Sequence, residues 1–386
     1  MSSLIPEDLT QPGTHALIIG VSAYLHFADG VDPTPNGTEF EMEQLSAAAC
    51  SASEFAAWLI NEYKCDRAPL RSLRVLLSPS EGEKIHADIK ALLKGDFSAT
   101  LNNVKIALNE FKAACDSNPK NVLIVYVVGH GIQLSKHGTI VLLHDIGAAA
   151  HVTKLEGAID MAGVHAGMNH PNTASTQFWF VDACRQKPAI ARRFEALKGA
   201  LTLDEPAGNT ETAPMFLAAT PGKAAFARVG GFTLFNEALM WVLRGGGAVG
   251  PDPDHGINNW HISVTALIKH LPERLKTLGK PEGVEPPVDI APPINEAIFH
   301  EYAAAPKVDL RVDLLPEAAK SVSKGSLKFN ASVPIVKNYS AWPLHQSVDA
   351  GLYLLNIKTS NPYKPKKDII LDLKPPEKHA EYDMAV

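Results

Sequence analysis

The sequence has few cysteines and no long apolar run. Its four cysteines, among 386 residues, are far apart and form no CxxC pair. That pattern excludes a disulfide-stapled scaffold and a cysteine zinc site, and it predicts a reducing compartment, the cytoplasm. No window approaches the roughly 18 apolar residues of a membrane span, and the N-terminus lacks a basic segment followed by an apolar core. We therefore expect a soluble protein.

A surplus of positive charge is also absent. The chain has 36 Lys and Arg against 42 Asp and Glu, a net charge of −6. Nucleic acid is therefore not expected as the primary partner, because phosphate binding needs a concentrated basic surface. The 46% hydrophobic and 20% charged residues are ordinary for a globular protein with a large core. The length indicates two domains, or one large domain with an appendage.

Two apolar stretches end abruptly in small and reactive residues. Residues 122–131 read VLIVYVVGHG, and residues 177–185 read QFWFVDACR. Each is typical of a strand buried on both faces of a parallel sheet. Sites in open α/β sheets are built at the carboxyl edge of the strands. We therefore expect His130 and Cys184 to meet at that edge as the base and the nucleophile of a Cys-His dyad.

The distance between the two residues in sequence, and the residues around them, narrow the range of protein families that fit. His130 precedes Cys184 by 54 residues, and the cysteine lies in the pentad DACRQ at 182–186. A caspase signature has its histidine about 50 residues before a cysteine in a similar A-C-R context. Over about residues 13–300 the chain resembles the caspase-like cysteine peptidases of clan CD. Asp182, in place of the caspase glutamine, resembles the metacaspases and their prokaryotic relatives. The resemblance implies an α/β fold with a mostly parallel six-stranded sheet flanked by helices.

The resemblance also implies roles around the dyad. The main-chain N–H groups of Gly131 and Cys184 would form the oxyanion hole, and Asp182 would face the specificity pocket and favour Arg or Lys before the scissile bond. Strand alternation places Asp182 and Cys184 on one face. Structural roles stay open: Gly131 also fits a simple tight turn, and Asp182 also fits a residue that caps the turn and orients Arg185.

Further pocket and processing residues follow from the same resemblance. Asp29 and Asp32 in the first long loop are candidates for a second acidic pocket residue, and Ala219 and Thr220 for the pocket wall. The stretch 186–213 reads as a long surface loop. Arg192 and Arg193 lie in it and are candidates for self-processing, although an ordinary solvated loop explains them as well.

The remaining chain alternates between strand and helix patterns up to about residue 280. This alternation implies parallel pairing with right-handed crossovers. Pro272 is expected to end or kink the last helix. The predicted strands are 15–20, 72–78, 138–144 and 215–219, and the predicted helices are 43–63, 100–114, 155–166, 231–243 and 262–270.

The pattern changes beyond residue 280. Residues 280–293 hold five prolines and predict a linker or an extended segment lying over the core. From Val308 onward apolar residues alternate with period two, which predicts a small β-sandwich of about 80 residues. The C-terminal strands resemble those of Ig-like or transthyretin-like modules. We therefore divide the chain into a caspase-like peptidase domain, 1–300, and a β-sandwich accessory domain, 301–386.

No cofactor is predicted, and the histidines show no metal-ligand spacing. Metacaspases often respond to calcium, which needs several hard oxygen ligands. The chain has no dense acidic cluster, so the sequence does not favour calcium activation. Asp252 and Asp254 are the one candidate pair, and a proline-spaced turn explains them equally well.

Three functions are compatible with this sequence. The first is a cysteine endopeptidase that cuts a protein substrate under the control of a partner or signal, with the β-module recruiting the substrate or an inhibitor. The resemblance to prokaryotic members adds an expected role in antiviral defence or programmed death. The second is a catalytically silent scaffold, which the intact dyad disfavours. The third, a hydrolase of small amides, is disfavoured by the β-module and the long loop.

Overall fold

Two compact units make up the chain. A computed structural model describes residues 3–133, 138–170, 172–184, 198–203, 212–218, 231–283, 288–291, 295–329 and 336–385. The first unit comprises residues 1–240 and 271–299, and the second comprises 241–270 and 300–386. In the described ranges, no helix combines the length and the apolar composition that a membrane crossing needs.

Both units contain strands and helices. In chain order the strands are β1 (Thr14–Val21), β2 (Leu70–Ser78), β3 (Val122–Gly129), β4 (Gly131–Gln133), β5 (Thr139–Leu142), β6 (Ala158–Asp160), β7 (Thr176–Ala183), β8 (Met215–Leu217), β9 (His261–Ser263), β10 (Asp289–Ala291), β11 (Ile298–Glu301), β12 (Lys307–Leu315), β13 (Lys324–Phe329), β14 (Val336–Tyr339), β15 (Leu344–Asp349), β16 (Gly351–Lys358), β17 (Lys366–Leu373) and β18 (Glu377–Asp383). The α-helices are α1 (Pro35–Thr38), α2 (Ala48–Asn61), α3 (Ala87–Leu92), α4 (Leu101–Asp116), α5 (Met161–Gly167), α6 (Leu234–Trp241), α7 (Val264–Gly279) and α8 (Glu317–Lys320).

The first unit is built on a six-stranded sheet in the order β10-β8-β7-β3-β1-β2. Every pairing is parallel except that of β10 with β8. The mostly parallel six-stranded sheet predicted from the sequence is therefore confirmed. Every residue of β1, β3 and β7 is buried, because these strands lie inside the sheet with helices on its faces.

Helices pack against this sheet through aromatic and aliphatic side chains. Phe55 of α2 contacts the rings of Tyr126 and Phe180. Phe111 of α4 belongs to a buried cluster with Trp179 of β7. Tyr126 and Phe180 lie opposite each other in the register of β3 and β7. Trp179, the neighbour of Phe180, points to the other face because side chains alternate along a strand. The two faces of the sheet are thus covered by different helices.

Three predicted elements differ from the structure. The helix expected from residue 43 begins only at Ala48, so Glu43 keeps a main-chain carbonyl outside the helix. The helix expected over 155–166 is β6 followed by α5, because a three-residue strand is too short to show a period. The helix expected to end or kink at Pro272 continues to Gly279.

The proline-rich stretch supplies the sixth strand of the sheet. Its segment Asp289–Ala291 forms β10 and pairs antiparallel with β8 at the sheet edge. An edge strand tolerates neighbouring prolines because one of its sides needs no hydrogen-bond donors. The sequence predicted either a linker or an extended segment here, and residues 289–291 form the extended segment.

The second unit contains a β-sandwich. One sheet has the order β15-β12-β18 and the other β14-β13-β16-β17. Alternate residues of β12 are buried and form a common core with residues of the other sheet, among them Leu355 and Leu371. The period-two prediction is confirmed. The unit also includes residues 241–270, which the predicted boundary at residue 300 assigned to the peptidase domain.

Candidate active site

The site is organised by the carboxyl ends of two neighbouring strands. β3 and β7 pair in parallel, and their last paired residues are Gly129 and Ala183. The next residues of the two strands are His130 and Cys184. Adjacent strands are about 4.8 Å apart, so the register places the two residues side by side at the edge where the sequence predicted them.

Exposure distinguishes Cys184 from the other cysteines. None of the four cysteines forms a disulfide bond, and Cys50, Cys65 and Cys115 are buried whereas Cys184 is partly exposed. A reactive thiol must be reached by its substrate, and buried cysteines are chemically inert. Cys184 is therefore the cysteine that a substrate could reach.

Gly131 permits the close approach of the two strand ends. A Cβ atom on this residue would lie 2.3 Å from the carbonyl oxygen of Cys184 and 2.8 Å from Cβ of Ala183. Real Cβ atoms do not approach other heavy atoms this closely. Only glycine fits at this position without a shift of the main chain.

The hydrogen bonds of the small sheet β4-β5-β6 determine which way the N–H group of Gly131 points. The N–H of Leu142 in β5 donates to the carbonyl of His130 at 2.9 Å. Gly131 faces Val141 in the antiparallel register. Because hydrogen-bonded and non-hydrogen-bonded pairs alternate along such a ladder, Gly131 occupies a non-hydrogen-bonded position. Its N–H points away from β5.

The imidazole of His130 is held by groups that sequence reasoning missed. Its Nε2 lies 2.7 Å from the main-chain carbonyl oxygen of Glu43, which can only accept, so Nε2 carries the proton and donates. The main-chain N–H of His130 donates to the hydroxyl of Tyr24 at 2.7 Å. The rings of Tyr24 and Phe27 lie 5.0 and 5.9 Å from the imidazole. In the neutral ring, Nδ1 is then the basic nitrogen.

Opposing effects set the acidity of His130. Burial lowers the pKa of His130, while the bond to the Glu43 carbonyl and the negative charge of Asp29 raise it and offset part of that lowering. A histidine below its ordinary pKa is neutral at pH 7 and can accept a proton. The imidazole at the strand end beside Cys184 is therefore neutral at pH 7.

Asp29 is bound to Gln44. Its Oδ2 accepts from the main-chain N–H of Gln44 at 2.9 Å and its Oδ1 from the side-chain amide at 3.1 Å. Burial raises the pKa of Asp29, but hydrogen bonds, mainly the two from Gln44, lower it by a larger amount. The pKa of Asp29 therefore lies below its ordinary value. Asp29 is a stable negative charge next to the peptide that holds His130. Its predicted place in the substrate pocket stays a prediction.

Asp182 is buried beneath the site in a polar network. Its Oδ2 accepts hydrogen bonds from the hydroxyls of Tyr126, at 3.2 Å, and Thr233. The side-chain amide of Asn236 donates to the hydroxyl of Tyr126 at 3.3 Å and to the carbonyl of Ser51 at 3.0 Å. Asp182 therefore lies on the face of β7 that meets α2 and α6, two residues before Cys184.

The network leaves acceptors unpaired. Within the described part of the chain, Oδ1 of Asp182 and Oδ1 of Asn236 are buried without a hydrogen-bond partner. Burial raises the pKa of Asp182 to about 7, although the bonds from Thr233 and Tyr126 lower it. An unpaired buried carboxylate oxygen is costly, and a cation would relieve that cost. The predicted alternative, in which Asp182 orients Arg185, involves a residue outside the described ranges.

The other predicted residues lie elsewhere. Asp32 is exposed, and its carboxylate lies 3.4 Å from Nδ1 of His26. None of the described contacts joins it to Asp182. Ala219, Thr220, Arg192 and Arg193 fall outside the described residues.

The described ranges contain no group of three or more His, Cys, Asp or Glu that could hold a metal ion. Asp252 belongs with Asp254 to the candidate calcium pair. Its Oδ2 lies 2.8 Å from Nδ1 of His255.

The fold and this arrangement define a class: an α/β peptidase fold with a histidine and a cysteine at adjacent strand ends. The family model of the caspase domain matches residues 14–278, and the chain belongs to this family. Membership supports activity as a cysteine protease.

Two similar proteins complete the comparison. An uncharacterized protein of Sinorhizobium fredii, y4kE, is 23% identical over 308 residues, which cover 76% of this chain and 84% of that protein. Caspase-1 from Spodoptera frugiperda has a solved structure that matches with a TM-score of 0.43 and 10% identity, over 78% of this chain and 99% of that one.

Proposed function

We propose that the protein is a cysteine endopeptidase that cuts a protein substrate after Arg or Lys. The observation that carries the proposal is the register of β3 and β7, which leaves His130 and Cys184 side by side at the carboxyl edge. The fixed Nε2–H tautomer of His130 supports it, because Nδ1 is then the nitrogen that takes the thiol proton.

The reaction follows from these groups. Nδ1 of His130 accepts the proton of the Cys184 thiol, and the thiolate attacks the carbonyl carbon of the scissile bond. The tetrahedral intermediate collapses when the imidazolium returns the proton to the leaving amine, which breaks the C–N bond. Water then hydrolyses the acyl-enzyme, with His130 as general base.

We assign the oxyanion hole to the N–H groups of Gly131 and Cys184. The ladder position of Gly131, with its N–H pointing away from β5, supports this assignment. Two main-chain N–H groups at the strand ends would stabilise the developing oxyanion.

Specificity for Arg or Lys is proposed from Asp182 and its unpaired Oδ1. A guanidinium or ammonium group would supply the missing hydrogen bonds and hold the carboxylate in its ionised form. Asn236, whose Oδ1 is also unpaired, would contribute a second acceptor.

The experiment is hydrolysis of fluorogenic peptides that end in Arg, Lys, Asp or Leu, with and without calcium. We expect turnover of the Arg and Lys peptides by the native chain and none by Cys184→Ala. Cys65→Ala, which makes the same change at a buried cysteine, should retain turnover. A folded native chain that hydrolyses none of the peptides would favour the silent scaffold.

We further propose that a protein partner or substrate binds the β-sandwich and that the protein works in the cytoplasm. The outer face of β16 and β17 supports the first point, because Leu352 and Ile370 are 49% and 71% exposed there. If this face recruits the substrate, Leu352→Ser/Ile370→Ser should lower cleavage of the protein substrate and leave short-peptide turnover unchanged.

A further inference from the structure

The contacts of Asp29 connect it to His130 through a single peptide group. The carbonyl that accepts from Nε2 of His130 belongs to Glu43, and the N–H that donates to Oδ2 of Asp29 belongs to Gln44. These two groups are the C=O and N–H of one peptide bond. In a trans peptide they point in opposite directions, so the peptide lies between the carboxylate and the imidazole.

The loop around this peptide is fixed by further hydrogen bonds. The side chain of Gln44 accepts from the main-chain N–H of Tyr24 at 2.6 Å and donates to the Tyr24 carbonyl at 2.9 Å. The same amide donates to Oδ1 of Asp29 at 3.1 Å. Tyr24 in turn accepts from the main chain of His130. Asp29, Gln44 and Tyr24 therefore hold the peptide and the histidine in one connected network.

We propose that Asp29 is a positioning residue for His130, acting through the Glu43–Gln44 peptide. Its carboxylate polarises the peptide, strengthens the carbonyl as an acceptor and stabilises the imidazolium that forms when Nδ1 takes the thiol proton. Hydrogen bonds in such a chain reinforce one another. In a Ser-His-Asp triad a carboxylate bonds the histidine directly. Here a peptide bond separates the two groups.

The electrostatics of the site agree with this role. The negative charge that acts on His130 is that of Asp29, and it raises the pKa of the imidazole against the larger lowering by burial. The rings of Tyr24 and Phe27 that contact the imidazole are uncharged, and Cys184, at the neighbouring strand end, is the titratable group proposed to exchange a proton with it. Asp29 itself is exposed, so solvent screens its charge and a moderate effect is expected.

The test replaces Asp29 by Asn, which keeps the size and one acceptor oxygen and removes the charge. On the best peptide substrate, kcat/KM should fall about 3- to 10-fold through kcat, with KM unchanged. Asp66→Asn provides the control, since it removes an exposed carboxylate that is paired with Lys64. This control should retain native kinetics.

A second readout needs no turnover. In the Cys184→Ala chain labelled with 15N-histidine, His130 should be the Nε2–H tautomer, and Asp29→Asn should lower its pKa. His130→Gln identifies its signals among the 15 histidines. The kinetic arm rests on the proposed protease function, whereas the titration tests the relay even if no peptide is cleaved.

Two results would overturn the inference. One is a His130 pKa that does not respond to Asp29→Asn. The other is a rise in KM for Arg and Lys peptides alone, which would assign Asp29 to the specificity pocket that the sequence suggested.

Discussion

Two carboxylates, Asp29 and Asp182, lie near His130 and Cys184, and their surroundings differ. Asp29 is exposed, both of its oxygens accept from Gln44, and its pKa lies below the ordinary value. Asp182 is buried, one of its oxygens has no partner among the described residues, and its pKa is raised to about 7. In the proposed function, the carboxylate of Asp29 stays ionised and positions His130. The carboxylate of Asp182 would be held in its ionised form by a substrate cation.

The largest effect is expected on the stability of the chain. An acid whose pKa rises from 3.8 to about 7 on folding favours the folded state at low pH. This contribution is lost between about pH 4 and pH 7, because the unfolded chain ionises first. Three pKa units correspond to at most about 4 kcal/mol.

Asp182→Asn removes this dependence while keeping an acceptor for Tyr126 and Thr233. The variant should therefore melt higher than the native chain at pH 8 and match it near pH 4, as calorimetry over that range would show. Equal melting curves at pH 8 would mean that Asp182 is not a buried, destabilised carboxylate.

The second-largest effect concerns substrate specificity, which should depend on Asp182 and not on Asp29. Asp182→Asn should lower kcat/KM for Arg peptides about a hundredfold, because a substrate cation loses its buried partner. Leu peptides should be affected little, and the ratio of the two activities is the measurement. An equal loss on both peptides would place Asp182 outside the pocket.

Gly131→Ala tests the close contact between the ends of β3 and β7, near which both carboxylates act in the proposed function. The added Cβ meets the carbonyl of Cys184, so the main chain must shift and turnover should fall about 30-fold. Gly250→Ala is the control, since its Cβ would lie 3.7 Å from Trp260. Native activity in Gly131→Ala would contradict the close packing of the two ends.

The smallest effect belongs to the connection between Asp29 and His130. Gln44→Ala removes the side-chain bonds to Asp29 and Tyr24 but keeps the peptide N–H, so kcat should fall only about fivefold. Gln346→Ala, on exposed β15, controls for the substitution. A loss as large as that in Cys184→Ala would show that Gln44 has a direct role in the reaction.

The sheet and the adjacent strand ends that precede His130 and Cys184 could be predicted because their signals are local. Buried strands read as continuous apolar runs, and parallel strands end at one edge, so His130 and Cys184 could be placed together without coordinates. The period-two pattern of β12 made the β-sandwich equally predictable.

The main-chain carbonyl that holds the imidazole of His130 could not be predicted in the same way. A main-chain carbonyl has no side-chain signature, and Glu43 lies 87 residues from His130 in sequence. The apolar spacing after residue 43 favoured a helix, which would have engaged that carbonyl. The polar partners of Asp182 are Tyr126 of β3 and Thr233, the residue before α6, and they meet only through the fold of the chain.

Active-site labelling tests the central claim most directly. A peptide chloromethyl ketone that ends in Arg should alkylate Cys184, as located by mass spectrometry. His130→Gln and Asp182→Asn should both slow the reaction strongly, and a reagent that ends in Asp should react poorly. Labelling of another cysteine, or equal labelling by the Arg and Asp reagents, would contradict a dyad of His130 and Cys184 with a pocket for basic residues.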